Sequence, residues 1–155
     1  MIYRAVLGAV LAAGCFLPAQ ADDMDPASTK QLHDYVLTLP KVMAYDKGYE
    51  SLVGAAKADP SLKADYQAAS AEHTKTMDDE VAKMTHHPRT YAFFVKQGLT
   101  KQDAVMLPLA LMGGCMVAQY PTAAKGMAAQ TSSQQADFCK QNQATVHSLK
   151  FVNGG

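Results

Sequence analysis

The sequence predicts an all-α protein: a single-domain bundle of five or six helices around one buried apolar helix. Apolar residues recur three and four positions apart over most of the chain, and no segment sustains the alternation typical of a half-buried strand. The pairs Asp25-Pro26 and Asp59-Pro60 each combine a capping carboxylate with a first-turn proline, a typical helix start. Ile2 is the only isoleucine, so the rest of the chain lacks one residue type that favours strands.

Residues 1–21 have the features of a secretory signal peptide. Arg4 precedes an apolar run of about 13 residues, too short to cross a bilayer, and a small-x-small cleavage site ends at Ala21. An alternative is lipid attachment at Cys15, because the residues before it resemble the end of a bacterial lipobox. We therefore expect a mature helical domain over 22–155, periplasmic or secreted, with a lipoprotein anchored through Cys15 as the alternative.

Removal of the signal peptide would change the number of cysteines from odd to even. The chain has three, and removal of the signal peptide leaves Cys115 and Cys139. In an oxidising compartment, a lone pair in a small secreted domain is most simply a disulfide, although two separate buried thiols are the alternative. Closing a loop of roughly 25 residues would contribute about 3 kcal/mol to stability.

Prolines and glycines divide the first two thirds of the chain. Gly98 follows an apolar segment as a left-handed helix cap would. The acidic run Asp78 to Glu80 indicates a solvated face near a helix start. The predicted helices, in order, are 26–39, 41–58, one that begins at Pro60, the polar segment 70–87, and one from Pro88 to Gly98.

The hydrophobic centre of the chain is residues 104–118, which carry no charge. Thr100 and Asp103 have the spacing of a capping box in front of it. The run is shorter than the roughly 18 to 20 residues that a membrane span needs, so a buried central helix is the better interpretation. Pro108 is expected to kink this helix, and the glycine pair at 113–114 to let a neighbour pack closely.

The end of the chain is predicted as a loop followed by one helix. Residues 121–131 are rich in Ala, Gly, Thr and Ser, as in a connecting loop. The last helix places Ala136, Cys139, Val146 and Leu149 toward the core. This arrangement brings Cys139 back to Cys115.

Composition and motifs exclude several function classes. Fourteen basic and fourteen acidic residues leave no net charge, so nothing global draws the protein to nucleic acid. The sequence contains no haem-attachment CxxCH, zinc-type CxxC, phosphate-binding loop or GxSxG motif. We therefore predict that the protein is not an enzyme and name no catalytic residue.

The candidate ligand-binding residues are His86, His87 and Tyr91. Imidazole and thioether groups suit copper, and Met77 and Met84 lie nearby in sequence. However, adjacent histidines project in different directions from a helix, and methionines are common core fillers. No metal ligand is therefore assigned, and copper is kept as an alternative.

A haem site is the other alternative. Met43 and His147 match, in outline only, the Met/His pair of periplasmic four-helix b-type cytochromes. His147 is more simply a surface residue. The tyrosines at helical spacing could line an apolar pocket, although such tyrosines more often pack in a core. We expect no cofactor, with haem or copper as the alternative.

The segment from His87 to Asn142 resembles a group of small secreted bacterial helical proteins of uncharacterised function. The shared marks are Pro88, Gly98-Leu99-Thr100, the apolar helix at 107–112, and Phe138 with Asn142. The resemblance covers about a third of the chain and implies an all-α fold and secretion. It transfers no site and no substrate.

These observations favour a secreted, periplasmic helical protein that acts as a non-catalytic binding or interaction module. We expect a monomer without a transmembrane span. Its partner would be an unidentified small molecule or an envelope protein.

Overall fold

The computed structural model describes residues 24–122, 126–127 and 129–154. Within these ranges the chain forms nine helices and no strand, which confirms the all-α fold. Six of the helices have eight or more residues, and α4, α8 and α9 are shorter. The helices are α1 (Pro26–Asp34), α2 (Leu39–Ala58), α3 (Pro60–Ala71), α4 (Met77–Lys83), α5 (Pro88–Val95), α6 (Lys101–Gln119), α7 (Ser133–Gln141), α8 (Gln143–Ser148) and α9 (Lys150–Asn153). The predicted signal peptide 1–21, including Cys15, lies outside the described residues.

Side-chain caps begin the helices where the sequence predicts them. The Asp25 carboxylate accepts hydrogen bonds from the backbone N–H groups of Ala27 and Ser28 (2.9 and 3.1 Å). Asp59 caps α3 in the same way, at 2.9 and 3.1 Å. After α5, Gly98 has a φ of 83°, the left-handed conformation expected for a glycine cap.

The first helix ends earlier than predicted, at Asp34 rather than at residue 39. A residue far away in the sequence binds the carbonyl groups at its C-terminal end. Nε2 of Gln135 donates to the carbonyl oxygens of Leu32 (2.8 Å) and Tyr35 (2.9 Å). Gln135 is 1% exposed, so the bonds are shielded from water. The chain then runs without helix over residues 35–38 before α2 begins.

The predicted polar helix 70–87 is wrong, because two separate helices occupy it. The helix α3 stops at Ala71, and α4 begins only at Met77. Thr76 caps the N-terminus of α4, and Oγ of Ser28 accepts a hydrogen bond from the Met77 backbone N–H (2.9 Å). This long-range bond fixes the start of α4. As expected, the acidic run 78–80 forms its first turn.

The apolar helix α6 lies at the centre of the bundle. Met106, Leu107, Ala110 and Leu111 are at most 1% exposed, and the helix continues through Pro108. It joins two core clusters, one with residues of α2 to α5 and one with residues of α1, α2 and α7 to α9. The Thr100–Asp103 capping box is formed. No helix among the described residues has both the length and the apolar character to span a bilayer.

The predicted close packing at the glycine pair is present between α6 and α7. A Cβ atom on Gly114 would lie 2.6 Å from the backbone oxygen of Gln135, and one on Gly113 would lie 2.8 Å from Oγ1 of Thr131. The disulfide is also confirmed: Cys115 and Cys139 are joined, with Cα atoms 5.2 Å apart. We call this region the α6–α7 contact (Gly113, Gly114, Cys115, Thr131, Gln135 and Cys139).

The last predicted helix is divided into α7, α8 and α9. Nδ2 of Asn142 donates to the Phe138 carbonyl oxygen (2.8 Å) and so binds the end of α7. Leu149 adopts an extended conformation between α8 and α9. The paired Phe138 and Asn142 therefore have a structural role within this fold.

Candidate functional site

The candidate residue His87 lies at the N-cap position of α5. Its imidazole ring lies between two carboxylates, that of Asp65 within α3 and that of Glu72 at the C-cap of α3. Nδ1 is 2.8 Å from Oδ1 of Asp65, and Nε2 is 3.2 Å from Oε2 of Glu72. The His87 side chain is 13% exposed. Both ring nitrogens can donate only when the imidazole is protonated, so this geometry fits the imidazolium ion.

The other two candidates, His86 and Tyr91, are placed differently. Nδ1 of His86 is 3.4 Å from Oε1 of Glu72, and its side chain is 65% exposed. The structure thus brings both histidines to one carboxylate. The Tyr91 ring lies in the aromatic cluster described below, where desolvation raises its pKa to about 12.

The protonation equilibria support a charged His87. The hydrogen bond to Asp65 raises the pKa of His87 above its ordinary value, and the bond to Glu72 adds to this effect against desolvation. Desolvation alone would raise the pKa of Asp65, but hydrogen bonds from Thr90 and His87 outweigh it and lower that pKa. The pKa of Glu72 is lowered for the same reason, through His87 and His86.

These contacts belong to a longer polar interface, the α3–α5 seam. Arg89 donates to Oγ of Ser61 (2.9 Å) and to Oδ2 of Asp59 (2.7 Å). Oγ1 of Thr90 donates to Oδ2 of Asp65 (2.6 Å). The seam comprises Asp59, Ser61, Asp65 and Glu72 on the α3 side and His86, His87, Arg89 and Thr90 on the α5 side.

The copper alternative receives no geometric support. Met77 and Met84 lie in the core cluster, at 6% and 2% exposure, whereas His86 is largely exposed. Among the described residues, no group of three or more His, Cys, Asp or Glu is arranged to hold a metal ion. For the haem alternative, Met43 and His147 are both exposed.

Tyrosines and phenylalanines from three helices form an aromatic cluster. The Tyr45 ring stacks on Phe94, with centroids 4.7 Å apart, and meets Phe151 edge-on at 4.8 Å. The ring of Tyr49 approaches Phe151, and that of Tyr91 approaches Phe94. Desolvation raises the pKa of Tyr45, so its hydroxyl stays neutral. We define the aromatic cluster as Tyr45, Tyr49, Tyr91, Phe94 and Phe151. Its rings pack against one another as part of the core.

Sequence reasoning missed a shallow, open cleft between α1 and the beginning of α6, which has a volume of about 690 Å³. It lies apart from the seam and shares no residue with it. Its lining residues are Ala27, Lys30, Gln31, Asp34, Tyr35, Val36, Lys41, Thr100, Gln102 and Asp103.

The buried Asp103 carboxylate forms a fixed polar group in this cleft. Oδ1 accepts hydrogen bonds from the Tyr35 hydroxyl (2.8 Å) and from Nζ of Lys41 (2.7 Å). Oδ2 accepts from the backbone N–H and the hydroxyl of Thr100 (3.0 and 2.8 Å). Desolvation opposes ionisation, but bonds from Lys41 and Thr100 lower the pKa of Asp103 to about 2. The carboxylate is therefore ionised at neutral pH.

In the cleft, the carboxylate acceptors of Asp103 are fully hydrogen-bonded, whereas the lysine ammonium groups have N–H donors to spare. A carboxylate has about four lone-pair sites, and Asp103 already accepts four hydrogen bonds. Each ammonium has three N–H donors, so Lys41, which is 43% exposed, and Lys30 keep capacity after pairing with Asp103 and Asp34. Oε1 of Gln31 is buried and has no hydrogen-bond partner within the described residues.

No protein-family model, curated protein sequence or solved structure matches this chain. The resemblance to small secreted helical proteins therefore stays a prediction.

Proposed function

We propose that this chain is a secreted, periplasmic, non-catalytic binding module that takes a small anionic ligand in the cleft between α1 and α6. The observation that carries the proposal is the imbalance of hydrogen-bonding groups in the cleft. Asp103 is saturated, while Lys30 and Lys41 retain N–H donors. A ligand with a carboxylate can use those donors without displacing an existing bond.

The Gln31 amide indicates which other group the ligand should carry besides a carboxylate. Its oxygen is buried without a partner among the described residues, and such a group costs about 1–3 kcal/mol. Nε2 of Gln31 donates to Oδ1 of Asp78 (3.3 Å), and its oxygen is the acceptor left for a hydroxyl or amine of the ligand. The best ligand is therefore a small carboxylate that also carries a hydrogen-bond donor.

A matched set of four-carbon probes tests this proposal by NMR chemical-shift titration. We expect malate, which has carboxylates and a hydroxyl, to bind more tightly than succinate, which lacks the hydroxyl. Erythritol, an uncharged polyol, should not saturate. Equal shifts from all three probes, or none from malate, would overturn the proposal.

A pair of tryptophan substitutions places the binding in the cleft. Ala27 is exposed and lines the cleft, so Ala27→Trp should weaken malate binding at least tenfold by filling the space. Ala144 is exposed on α8, outside the cleft, and Ala144→Trp should leave binding unchanged. Unaltered affinity in Ala27→Trp would move the binding elsewhere.

Secretion and the absence of catalysis have separate tests. Intact mass spectrometry of protein from its native host should give a mature chain beginning at Asp22 and lacking two hydrogens through the disulfide. A lipid mass on Cys15 would favour the lipoprotein alternative. Turnover in a broad hydrolase panel that a single polar substitution abolishes would contradict the binding-module class.

A further inference from the structure

The helix α3 is attached to the bundle by a small apolar surface and a long polar one. Leu62 and Ala69 are its buried residues, each 4% exposed, and Tyr66 packs partly against the core. On its other side α3 is held by the α3–α5 seam. The C-terminal half of the helix is thus held by Tyr66 and Ala69 against the core and by the contacts of Asp65 and Glu72 at the seam.

We propose that α3 is a flap whose C-terminal half is latched by the proton on His87, and that loss of this proton loosens this half from the bundle core. The latch comprises Asp65, Glu72 and His87, with distances of 2.8 and 3.2 Å from the two ring nitrogens. A neutral imidazole carries one N–H, so it can donate to only one of the two carboxylates. The other nitrogen then presents a lone pair to a negative oxygen.

The direction of the pH dependence follows from the geometry of the latch and from the shifted pKa values of its three groups. The pKa of His87 is raised above its ordinary value of 6.5 by Asp65 and Glu72. More than half of the molecules therefore carry the latch proton at pH 6.5, and it is lost as the pH rises through the raised value. The pKa values of Asp65 and Glu72 are lowered, so on the acid side the latch is lost only as the pH falls through those lowered values. The latch is closed between these two limits.

The other charged groups near the latch do not replace His87. Nζ of Lys83 pairs with Glu80 (2.7 Å) and donates to the Glu72 backbone oxygen (3.1 Å), so it holds the end of α3 but leaves the Glu72 carboxylate to the histidines. Arg89 is engaged with Asp59 at the opposite end of the helix.

Two neighbouring side chains complete the surroundings of the latch. His86 reaches the Glu72 carboxylate from solvent, at 3.4 Å, and Tyr91 lies in the aromatic cluster with a raised pKa. Above the titration of His87, the flap therefore keeps its N-terminal attachment at Asp59, the Thr90 hydrogen bond to Asp65 and its Lys83 bond, and it loosens between Asp65 and Glu72.

Amide hydrogen exchange of the full chain, corrected for the intrinsic effect of pH, tests the inference together with NMR titration of the His87 ring. We expect exchange in residues 66–72 to rise about tenfold, the effect of losing one charge-assisted hydrogen bond. The midpoint of this rise should coincide with the titration of His87. Exchange in residues 106–114 of α6 should not change. A flat exchange profile across the His87 titration overturns the proposal.

Matched variants separate the latch from general instability. In His87→Gln, which cannot take up the proton, exchange in residues 66–72 should be fast at every pH and have no step. In His147→Gln, on the exposed face of α8, the step should persist. A step retained in His87→Gln contradicts the latch.

A second readout keeps the test decisive if His87→Gln folds poorly. The chain contains no tryptophan, so tyrosine emission can be followed in the wild-type protein. Acrylamide quenching should increase above the His87 titration because the loosened flap exposes the Tyr66 ring, which packs partly against the core. Quenching that stays constant over that range also contradicts the proposal.

Discussion

The α6–α7 contact and the α3–α5 seam hold helices together by opposite means. At the first, glycines bring two backbones together and a disulfide closes the contact. At the second, carboxylates of α3 meet an imidazole, a guanidinium and a hydroxyl of the α5 side. Close packing and a covalent bond do not depend on protons, whereas an ionic seam depends on both protons and salt. One bundle thus combines a contact that is insensitive to protons and salt with one whose ion pairs respond to both.

The largest effect is expected from Gly114→Ala in the α6–α7 contact. The new methyl group would lie 2.6 Å from the backbone oxygen of Gln135, which cannot move without displacing α7. We expect the free energy of unfolding to fall by about 2–3 kcal/mol, measured by urea denaturation. Gly54 of α2 has open space around it, so Gly54→Ala is the control and should stabilise by about 1 kcal/mol or less. Equal effects at the two positions would show that the contact is not tight.

A smaller effect is expected from Thr90→Val, which removes one hydroxyl from the seam. Thr90 is 2% exposed, and its hydroxyl donates to Asp65 at 2.6 Å. Valine keeps the shape but leaves one carboxylate oxygen without its donor, at a cost of about 1–2 kcal/mol. The control is Thr85→Val, because Thr85 is exposed and donates to a carbonyl of its own turn. If Thr90→Val is neutral, packing rather than hydrogen bonding holds α3.

The smallest effect is expected from Arg89→Ala, at the exposed end of the seam. The Arg89 and Asp59 side chains are 55% and 41% exposed, so water and salt screen the pair. We expect the melting temperature to fall by about 1–2 °C at low salt and to match the wild type at 1 M salt. A larger, salt-independent loss would place Arg89 among the fixed contacts.

Local signals were enough to predict the fold class and several of its elements. Caps at Asp25 and Asp59, the left-handed Gly98 and the uncharged helix α6 each depend on residues close together in sequence. The pair Cys115 and Cys139 followed from the expected removal of Cys15. Helix ends set by distant residues could not be predicted. The break before α4, for example, involves Ser28, 49 residues before Met77.

The site was predicted only in part, for the same physical reason. His86 and His87 were found because they are adjacent. Their partners Asp65 and Glu72 lie in and at the end of α3, with α4 in between, and meet the histidines only after folding. Asp103 was interpreted as a capping residue, which it is. Its second role, with Tyr35 and Lys41 in the α1–α6 cleft, has no sequence signal, because those residues lie 68 and 62 positions away.

The bond from Gln135 to the end of α1 has a consequence for the order in which the molecule can be assembled. The donor and the Leu32 carbonyl are 103 residues apart, so the two meet only when nearly the whole chain is available. Contacts of such separation slow folding, because a long loop must close before they form. A chain that emerges N-terminus first would keep the end of α1 incomplete until Gln135 has also emerged. Completion of the first helix therefore waits for the last quarter of the chain.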